Sequence, residues 1–396
     1  MAGTPSERPT ALTPEQQAKL RKFWGLLLKI FAKPDSTTGN GIISDLDLET
    51  GAPGTRDDQL EQLNAALTGQ TVKQLHTAFW QFIKHENPDA VVLRFLRARS
   101  WDVSKALIMM ISTLCWRQKF GVEELLKEGE LSATNTDDLG FIHQLRIGKA
   151  YLHGSDKQKR PVCIISPRLH RGSDQSPESI EKFTVYIMET TRLLCQEPND
   201  TSCIIFDMTG FGLSNMDYTA VKFIIDCLQS HYPESLGSCL IHNAPWIFQG
   251  IWRIIKGWLD PVVASKIQFT NNVNDLSKFI NQAQIPKFLG GKENWVYDYK
   301  EPDTNENLAI TDASMDDLDE KQSVENIRKD IIAQYEKSTE RWLKEESKSG
   351  IAEVKDERHK LMARLKQNYW ALDKFVRART YYDRIGVLGS RGELHL

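Results

Sequence analysis

The sequence predicts an α/β protein with a mainly parallel sheet, a helical lobe before it and a helical hairpin after it. From about residue 145, short β-rich runs alternate with helical segments, which is the pattern of βαβ crossovers. Residues 59–130 show helical periodicity and no strong strand pattern. Two more helical segments follow an acidic connector. The predicted parts are an N-terminal helix with a flexible linker, a helical lobe, a sheet domain, and a connector with C-terminal helices, at residues 1–58, 59–135, 136–300 and 301–396.

The first predicted helix begins after Thr13, because Thr13, Pro14 and Gln16 form a capping box with proline in the first turn. Apolar residues then recur at helical spacing: Leu20, Phe23, Trp24, Leu27, Leu28 and Phe31. This stripe is predicted to pack on the body of the protein, and membrane insertion is the less favoured alternative. Residues 33–57 are rich in Gly, Ser, Thr and Asp, which predicts a flexible linker.

The candidate strands are 148–153, 160–166, 202–208, 237–243 and 266–270. Helices are expected between them, one beginning at Ser176 and another near Asp217. In the C-terminal part, one helix face carries Ile327, Ile331, Tyr335 and Trp342, and another carries Val354, Leu361, Leu365, Tyr369 and Leu372. With Gly350 as the turn between them, these helices predict a hairpin folded onto the domain.

Composition and motifs argue against an enzyme and against a nucleic-acid-binding protein. The formal net charge of −3 provides no global basic field. The sequence has no hydrolase nucleophile elbow and no phosphate-binding P-loop, and residues 209–212 match only the start of a dinucleotide fingerprint. The six cysteines form no C-x-x-C pair, and no histidine cluster has metal-ligand spacing. We therefore expect a non-catalytic cytosolic protein with reduced thiols, no metal and no cofactor.

Membrane contact is expected to be peripheral. No apolar run approaches the ~20 residues that a membrane span requires. The first ten residues are polar, which argues against a secretory signal, and Ala2 replaces the glycine that N-myristoylation needs.

The most informative segment is a predicted helix at 246–259. Its apolar residues include Trp246, Phe248, Ile251, Trp252, Ile255, Trp258 and Leu259. Gln249, Arg253 and Lys256 form one narrow polar stripe. A surface helix usually has the reverse proportion of apolar and polar faces. The pattern suits a helix that covers an apolar cavity and meets lipid on its other side, and a fully buried core helix is an equally weighted alternative.

Two charged residues flank this helix. Glu234 and Lys266 each lie at or just before the start of a predicted strand, and parallel strands bring equivalent ends to one edge of the sheet. A carboxylate can accept hydrogen bonds from hydroxyls, and an ammonium can pair with phosphate. The pair could therefore bind a phosphorylated, polyhydroxylated headgroup. From these residues alone, an ordinary ion pair at the sheet edge is the favoured interpretation.

Four segments in order resemble the CRAL-TRIO lipid-carrier family: LRFLRARSWDVSKA at 93–106, YPESLG at 232–237, DPVVASKI at 260–267 and IPKFLGG at 285–291. The resemblance covers roughly residues 75–295. GSDQSPE at 172–178 and LSNMDY at 213–218 resemble segments of the fungal non-classical phosphatidylinositol transfer proteins, a likeness that extends more loosely over both termini.

The resemblance implies a helical lobe, a lipid-enclosing α/β lobe and a gating helix that opens at membranes, which maps onto 246–259. It implies phosphatidylinositol as ligand, with Glu234, Lys266 and Asp260 at the headgroup and Arg99 near the phosphate. The bound lipid takes the place of a cofactor. The expected protein is a cytoplasmic monomer that associates transiently with membranes such as endosomes, microsomal membranes or lipid droplets.

The cavity positions depart from the family pattern. A threonine is replaced by Val263, the threonine partner of Ser202 by Ile204, and an aromatic residue by Cys163. Fewer hydroxyls leave a more apolar wall, which argues against phosphatidylcholine as a ligand. The alternative function is a carrier or sensor of a neutral isoprenoid or sterol, such as a squalene-like ligand, that acts as a regulatory scaffold.

Overall fold

The computed structural model describes residues 12–46, 48, 55–135, 139–195 and 197–395, with only the backbone of residues 55–60. Parts of the predicted N-terminal segment and linker, at 1–11, 47 and 49–54, lie outside these residues. The described chain forms two compact units. The helical unit runs up to Lys127 and includes Asn307–Arg377, and the sheet unit comprises Glu128–Glu306 with Ala378–Leu396. In each unit, stretches that are far apart in the sequence pack together.

In chain order the helices are α1 Pro14–Phe31, α2 Thr55–Leu67, α3 Val72–Ile83, α4 Pro88–Ala98, α5 Val103–Phe120, α6 Val122–Ala133, α7 Gly140–Arg146, α8 Pro177–Leu193, α9 Tyr218–Asp226, α10 Phe248–Lys256, α11 Pro261–Ser265, α12 Val273–Leu276, α13 Leu308–Thr311, α14 Met315–Lys344, α15 Lys348–Val376 and α16 Tyr381–Arg384. The strands are β1 Ala150–Ser155, β2 Pro161–Ile165, β3 Ser202–Asp207, β4 Leu236–His242 and β5 Ile267–Thr270. A π-helical turn, Cys227–His231, continues α9.

The start of α1 confirms the predicted capping box. The Thr13 hydroxyl accepts a hydrogen bond from the Gln16 N–H at 3.2 Å, and the Gln16 side chain accepts one from the Thr13 N–H at 3.0 Å. Phe23 and Trp24 are fully buried in the core of the helical unit. The prediction that the α1 stripe packs on the body is therefore confirmed, and membrane insertion of this face is excluded.

A buried polar cluster fastens the C-terminal hairpin to the helical unit. The Arg358 guanidinium on α15 donates two hydrogen bonds to the Asp89 carboxylate on α4, at 2.9 and 2.7 Å, and a third to the Tyr335 hydroxyl on α14 at 2.8 Å. The Trp24 indole N–H donates to Asp89 at 2.7 Å. Because bidentate arginine–carboxylate pairs fix orientation as well as distance, α1, α4, α14 and α15 are held in register. The predicted hairpin folded onto the protein is confirmed.

Two predictions for this unit are wrong in detail. Gly350 is not the turn between the hairpin helices, because Ser347 caps α15 by accepting from the Gly350 N–H at 3.1 Å, which places Gly350 in the first helical turn. The described part of the predicted linker is folded rather than flexible. Ile42, Ile43 and Leu48 are buried and belong to the apolar core, so this segment contributes packing despite its polar composition.

The sheet has the strand order β1-β2-β3-β4-β5. β1 pairs antiparallel with β2, and the other pairs are parallel. The predicted strands are confirmed to within about two residues at their ends, which is the usual uncertainty of element boundaries. The predicted class, a mainly parallel α/β sheet with helical additions, is therefore correct.

The two faces of the sheet belong to different apolar clusters. Cys203 and Ile205 on β3 face a cluster completed by Leu276 of α12 and by residues 280–289. Ile204 and Phe206 point to the other face, toward α9, α10 and α11. This alternation follows from the period of two along a strand.

The C-terminal segment returns to the sheet unit and covers the open edge of β1. The outward N–H of Leu152 donates to the Tyr382 hydroxyl at 2.6 Å. The buried Glu130 carboxylate accepts from the Tyr186 and Tyr299 hydroxyls at 2.7 Å each, and it pairs with Arg384. Burial raises the pKa of both tyrosines, and the neighbouring Glu130 carboxylate raises it further. Both tyrosines therefore stay protonated donors at neutral pH.

Candidate functional site

α10 is the helix that the sequence analysis placed at 246–259, and it is shorter than predicted. Trp246 lies in the turn before it, and Trp258 and Leu259 lie in the turn after it. At the first turn, the Phe248 and Gln249 N–H groups bond to carbonyls only three residues back, so the chain enters as a tight turn. At the other end, Gly257 is the C-cap of α10 and Asp260 already caps α11.

α10 has one buried face and one exposed face. Its buried residues are Phe248, Ile251 and Ile255. Trp246, just before the helix, is 82% exposed, and Ile254 is 47% exposed beside the exposed cations Arg253 and Lys256. The alternative of a fully buried core helix is therefore wrong. An amphipathic helix with apolar and basic residues on its outer face is suited to a membrane interface.

Beneath α10, one face of the sheet is incompletely covered. Ile204 and Phe206 remain partly accessible although β3 is an inner strand. Their chain neighbours Cys203 and Ile205, on the opposite face, are fully buried. Apolar side chains in a close-packed interior are normally enclosed on all sides. The contrast indicates an unfilled apolar space between β3 and the helices on the α10 face.

The residues around this space come from β3, β4, β5, α9, α10 and α11 and from their connections. Those packed against the cluster but only partly buried include Val221, Leu228, Trp252, Trp258, Leu259 and Ile267. The ring of Phe211 meets that of Phe248 edge-on at 5.9 Å, and Phe269 meets Trp252 at 5.3 Å. Aromatic and aliphatic side chains thus border the space, which is suitable for acyl or other hydrocarbon chains.

A row across the sheet floors this space. In the strand register Cys163 lies beside Ile204, Ile204 beside Cys239, and Cys239 beside Ile267. Burial raises the pKa of Cys163 to about 12, and it raises that of Cys239 still further. Both thiols are therefore neutral and behave as small apolar groups. This row contains no hydroxyl.

The other two predicted cavity residues lie at the margins of the same region. Val263, on α11, is 9% exposed and belongs to the cluster beneath α10. Ser202 is buried at the first residue of β3, where its N–H donates to the Ser235 carbonyl at 2.9 Å. The roles of Cys163, Ser202, Ile204 and Val263 toward a ligand stay predictions.

Glu234 and Lys266 meet at the amino edge of the sheet, as their positions before β4 and β5 predict. The Lys266 ammonium lies 3.1 Å from the Glu234 carboxylate, and the lysine side chain is 4% and the glutamate side chain 20% exposed. Glu234 has a left-handed backbone at φ 54°, a conformation that costs free energy in a non-glycine residue and that is common at functional sites. An ion pair so little exposed is not an ordinary surface pair, because desolvation makes an unpaired charge there expensive.

The remaining two headgroup candidates have structural partners. Asp260 caps α11 by accepting from the Val263 N–H at 2.8 Å, and α11 ends at Lys266. Asp260 therefore fixes the element that carries Lys266. Arg99 belongs to the helical unit, where it is the C-cap of α4 and its guanidinium donates to the Ala98 carbonyl at 3.0 Å. Its approach to a phosphate stays a prediction.

A buried lysine, Lys149, contacts Gln175 of GSDQSPE directly and is linked to Asp217 of LSNMDY through His170. The Lys149 ammonium donates to Gln144 at 3.1 Å and to Gln175 at 2.8 Å and contacts His170 at 3.3 Å. His170 in turn lies 3.4 Å from Asp217, the cap of α9. Burial lowers the pKa of Lys149 to about 8. This cluster explains the two segments as structural supports for the start of α9.

Sequence reasoning missed two residues that contact the end of α10. The ring of Tyr218 meets that of Trp258 edge-on at 5.9 Å, and the side chain of Gln229 hydrogen-bonds to the backbone of Trp258 and of Asp260. A lone tyrosine at a helix start and a lone glutamine in a π-helical turn leave no periodic signal in a sequence.

None of the helices in the described ranges combines the length and the apolarity that crossing a bilayer demands. The same ranges contain no grouping of His, Cys, Asp and Glu able to hold a metal ion.

Comparison with known proteins gives consistent matches. Residues 145–291 match the model of the CRAL/TRIO domain, and residues 59–112 match that of the CRAL/TRIO N-terminal domain. The CRAL-TRIO domain-containing protein C3H8.02 of Schizosaccharomyces pombe is 39% identical over 97% of this chain and 93% of its own length. The phosphatidylinositol transfer protein CSR1 of Eremothecium gossypii is 39% identical over 96% of this chain and 90% of its own length. The crystal structure of Sfh5 shares the fold with a TM-score of 0.50 and 16% identity, over 79% of this chain and 98% of that one.

Proposed function

The chain belongs to the CRAL-TRIO family of lipid-binding and lipid-transfer proteins, and from this premise we propose that it encloses a single phosphatidylinositol molecule and exchanges or presents it at membrane surfaces. The observation that carries the proposal is the partly open apolar face of β3 beneath α10, with the Lys266–Glu234 pair at the amino edge of the same sheet. A lipid needs both features, because its acyl chains require a dry cavity and its phosphate requires a cation.

In this proposal the acyl chains lie between β3 and α10, and the headgroup lies at the amino edge of β4 and β5. Lys266 pairs with the phosphate, and Glu234 accepts hydrogen bonds from inositol hydroxyls. Asp260 acts through α11, since it fixes the helix that ends at Lys266. The protein is a carrier without catalytic groups or cofactor.

Exchange requires contact with a bilayer and opening of α10. The exposed Trp246 and Ile254 with Arg253 and Lys256 support a peripheral contact with an anionic membrane, since aromatic and aliphatic side chains enter the interface and cations pair with lipid phosphates. The protein works as a cytoplasmic monomer that associates transiently with endosomes, microsomal membranes or lipid droplets.

A neutral isoprenoid or sterol, such as a squalene-like molecule, is the second candidate ligand, and its carrier would act as a regulatory scaffold. The row Cys163–Ile204–Cys239–Ile267 favours it, because this row presents no hydroxyl to a polar group. The same row argues against phosphatidylcholine.

Mass spectrometry of the lipids extracted from the full chain, purified from a eukaryotic host, tests the proposal. We expect phosphatidylinositol in near-stoichiometric amount. A sterol or isoprenoid alone would replace the proposal by the second candidate, and recovery of phosphatidylcholine alone would contradict both.

A further inference from the structure

The segment 246–265, which contains α10 and α11, has few polar attachments. Among the described residues, only the side chain of Gln229 makes hydrogen bonds that join this segment to residues beyond its immediate chain neighbours. The rest of its contact with the sheet unit is apolar, through the buried face of α10 and through Val263. Apolar contacts are not directional, so they hold a helix near a surface without fixing one position of its end.

The Gln229 amide bridges two backbone groups at the end of α10. Its Oε1 accepts from the Asp260 N–H at 2.6 Å, and its Nε2 donates to the Trp258 carbonyl at 3.4 Å. The orientation of the amide follows from the chemistry, because the Asp260 N–H can only donate and the Trp258 carbonyl can only accept. Backbone groups at the end of a helix and in the turn that follows lack partners within the helix. Gln229 supplies a donor for the Trp258 carbonyl and an acceptor for the Asp260 N–H.

The position of Gln229 depends on the π-helical turn Cys227–His231. A π turn inserts one residue into the helical register, and such insertions are frequent at functional sites. Three residues after this turn lies Glu234, the partner of Lys266. One short stretch of chain therefore holds both the end of α10 and the polar pair proposed for the headgroup.

We propose that Gln229 is the polar clamp that keeps the C-terminal end of α10 closed over the apolar space, so that release of these two hydrogen bonds is the step that lets the helix open. This role rests on the proposed lipid-exchange function. Gln229 is a positioning residue, since it acts through the backbone of Trp258 and Asp260 and does not itself contact a lipid. Tyr218 supports the clamp through its edge-on contact with Trp258.

The clamp can be removed in two graded ways. Gln229→Met keeps the length of the side chain and removes both hydrogen bonds. Gln229→Glu keeps the acceptor for the Asp260 N–H, loses the donor to the Trp258 carbonyl and places a negative charge beside that carbonyl oxygen. Gln158→Met is the matched control, because Gln158 is exposed in the turn between β1 and β2 and its side chain makes no hydrogen bond among the described residues.

Hydrogen–deuterium exchange of the full chain, followed by mass spectrometry, measures the opening without any lipid assay. We expect amides in residues 246–265 to exchange about tenfold faster in Gln229→Met, the factor that corresponds to roughly 1.4 kcal/mol. Peptides from β3 and β4 should exchange as in the unchanged protein, since local opening leaves the sheet intact. Gln229→Glu should show a smaller increase, and Gln158→Met none.

Transfer of pyrene-labelled phosphatidylinositol between phosphatidylcholine vesicles completes the test, with faster transfer expected for both Gln229 variants. Unchanged exchange in 246–265 would overturn the clamp, whatever the transfer rates. Faster exchange with transfer rates equal to those of the unchanged protein would also overturn its role in opening. Faster exchange with no transfer by any protein, the unchanged one included, would leave the clamp standing and refute the proposed lipid. If Gln229→Met also speeds exchange in β3, that variant has destabilised the sheet. The test of the clamp then rests on the exchange and transfer rates of Gln229→Glu.

Discussion

Replacing Lys266 by methionine tests the headgroup site, because the structure separates its effect on stability from its effect on binding. The change removes the ammonium that lies 3.1 Å from Glu234 and leaves a carboxylate that is 20% exposed without its partner. Removal of one member of a buried ion pair costs about 3–5 kcal/mol. The partial exposure of Glu234 sets the expected loss at the lower end of that range, about 3 kcal/mol.

For a unit of roughly 200 residues, each kcal/mol shifts the melting temperature by about 2–4 °C. Lys266→Met should therefore lower the melting temperature of the sheet unit by about 6–12 °C. The double variant Glu234→Gln with Lys266→Met removes both charges, so it should regain most of that loss.

Calorimetry of the three proteins gives the stabilities, and transfer of pyrene-labelled phosphatidylinositol between vesicles gives the function. We expect the double variant to be stable and yet to lose phosphatidylinositol transfer, because it has no ammonium for the phosphate. A stable double variant that transfers phosphatidylinositol at the rate of the unchanged protein would refute the assignment of Lys266 to the headgroup.

Three further changes address other parts of the molecule. Ile204→Trp should fill the space above β3, lower the lipid recovered by mass spectrometry and leave the melting temperature within a few degrees, since the added ring enters an unfilled region. Trp246→Ser should weaken cosedimentation with anionic vesicles while changing stability by less than about 0.5 kcal/mol, because the side chain is 82% exposed. Glu130→Ala should destabilise the sheet unit by about 2–6 kcal/mol in denaturant unfolding, because it leaves the Tyr186 and Tyr299 hydroxyls without their acceptor, while Arg384 keeps its pair with Glu306.

Each of these outcomes has a clear opposite. A large loss of stability in Ile204→Trp would mean that the region above β3 is already filled. Undiminished vesicle binding by Trp246→Ser would remove α10 from the membrane contact. A Glu130→Ala variant as stable as the unchanged protein would show that the C-terminal segment is not fastened by this carboxylate.

Local patterns predicted most of the fold. The alternation of β-rich and helical runs after residue 145 located the five strands, and the capping box at Thr13 located the start of α1. The parallel direction of the strands, with Glu234 and Lys266 each at a strand start, also predicted that the two residues lie at one edge of the sheet. These features depend on neighbouring residues or on simple sheet geometry, so they are present in the sequence itself.

What could not be predicted depends on contacts between distant residues. The segment after α15 contains Tyr382 and Arg384, and nothing in its composition shows that they contact β1 and Glu130. The predicted helix at 246–259 extends beyond α10 at both ends. Helical spacing continues through Trp246 and Trp258, while the tertiary structure turns the chain at both residues. Gln229 has a role only once the π-helical turn brings it to Asp260.

The covering of β1 by Tyr382 has a consequence for biosynthesis. The two residues joined by that hydrogen bond are 230 positions apart in the chain. At a synthesis rate of about 5–20 residues per second, the N–H of Leu152 emerges roughly 10–50 seconds before its acceptor. Once β2 to β5 have also emerged, and until Tyr382 follows, the nascent sheet has an open edge at β1, which is a template for pairing with strands of other chains. Premature termination before Tyr382 should therefore leave this edge uncovered and promote aggregation through β1.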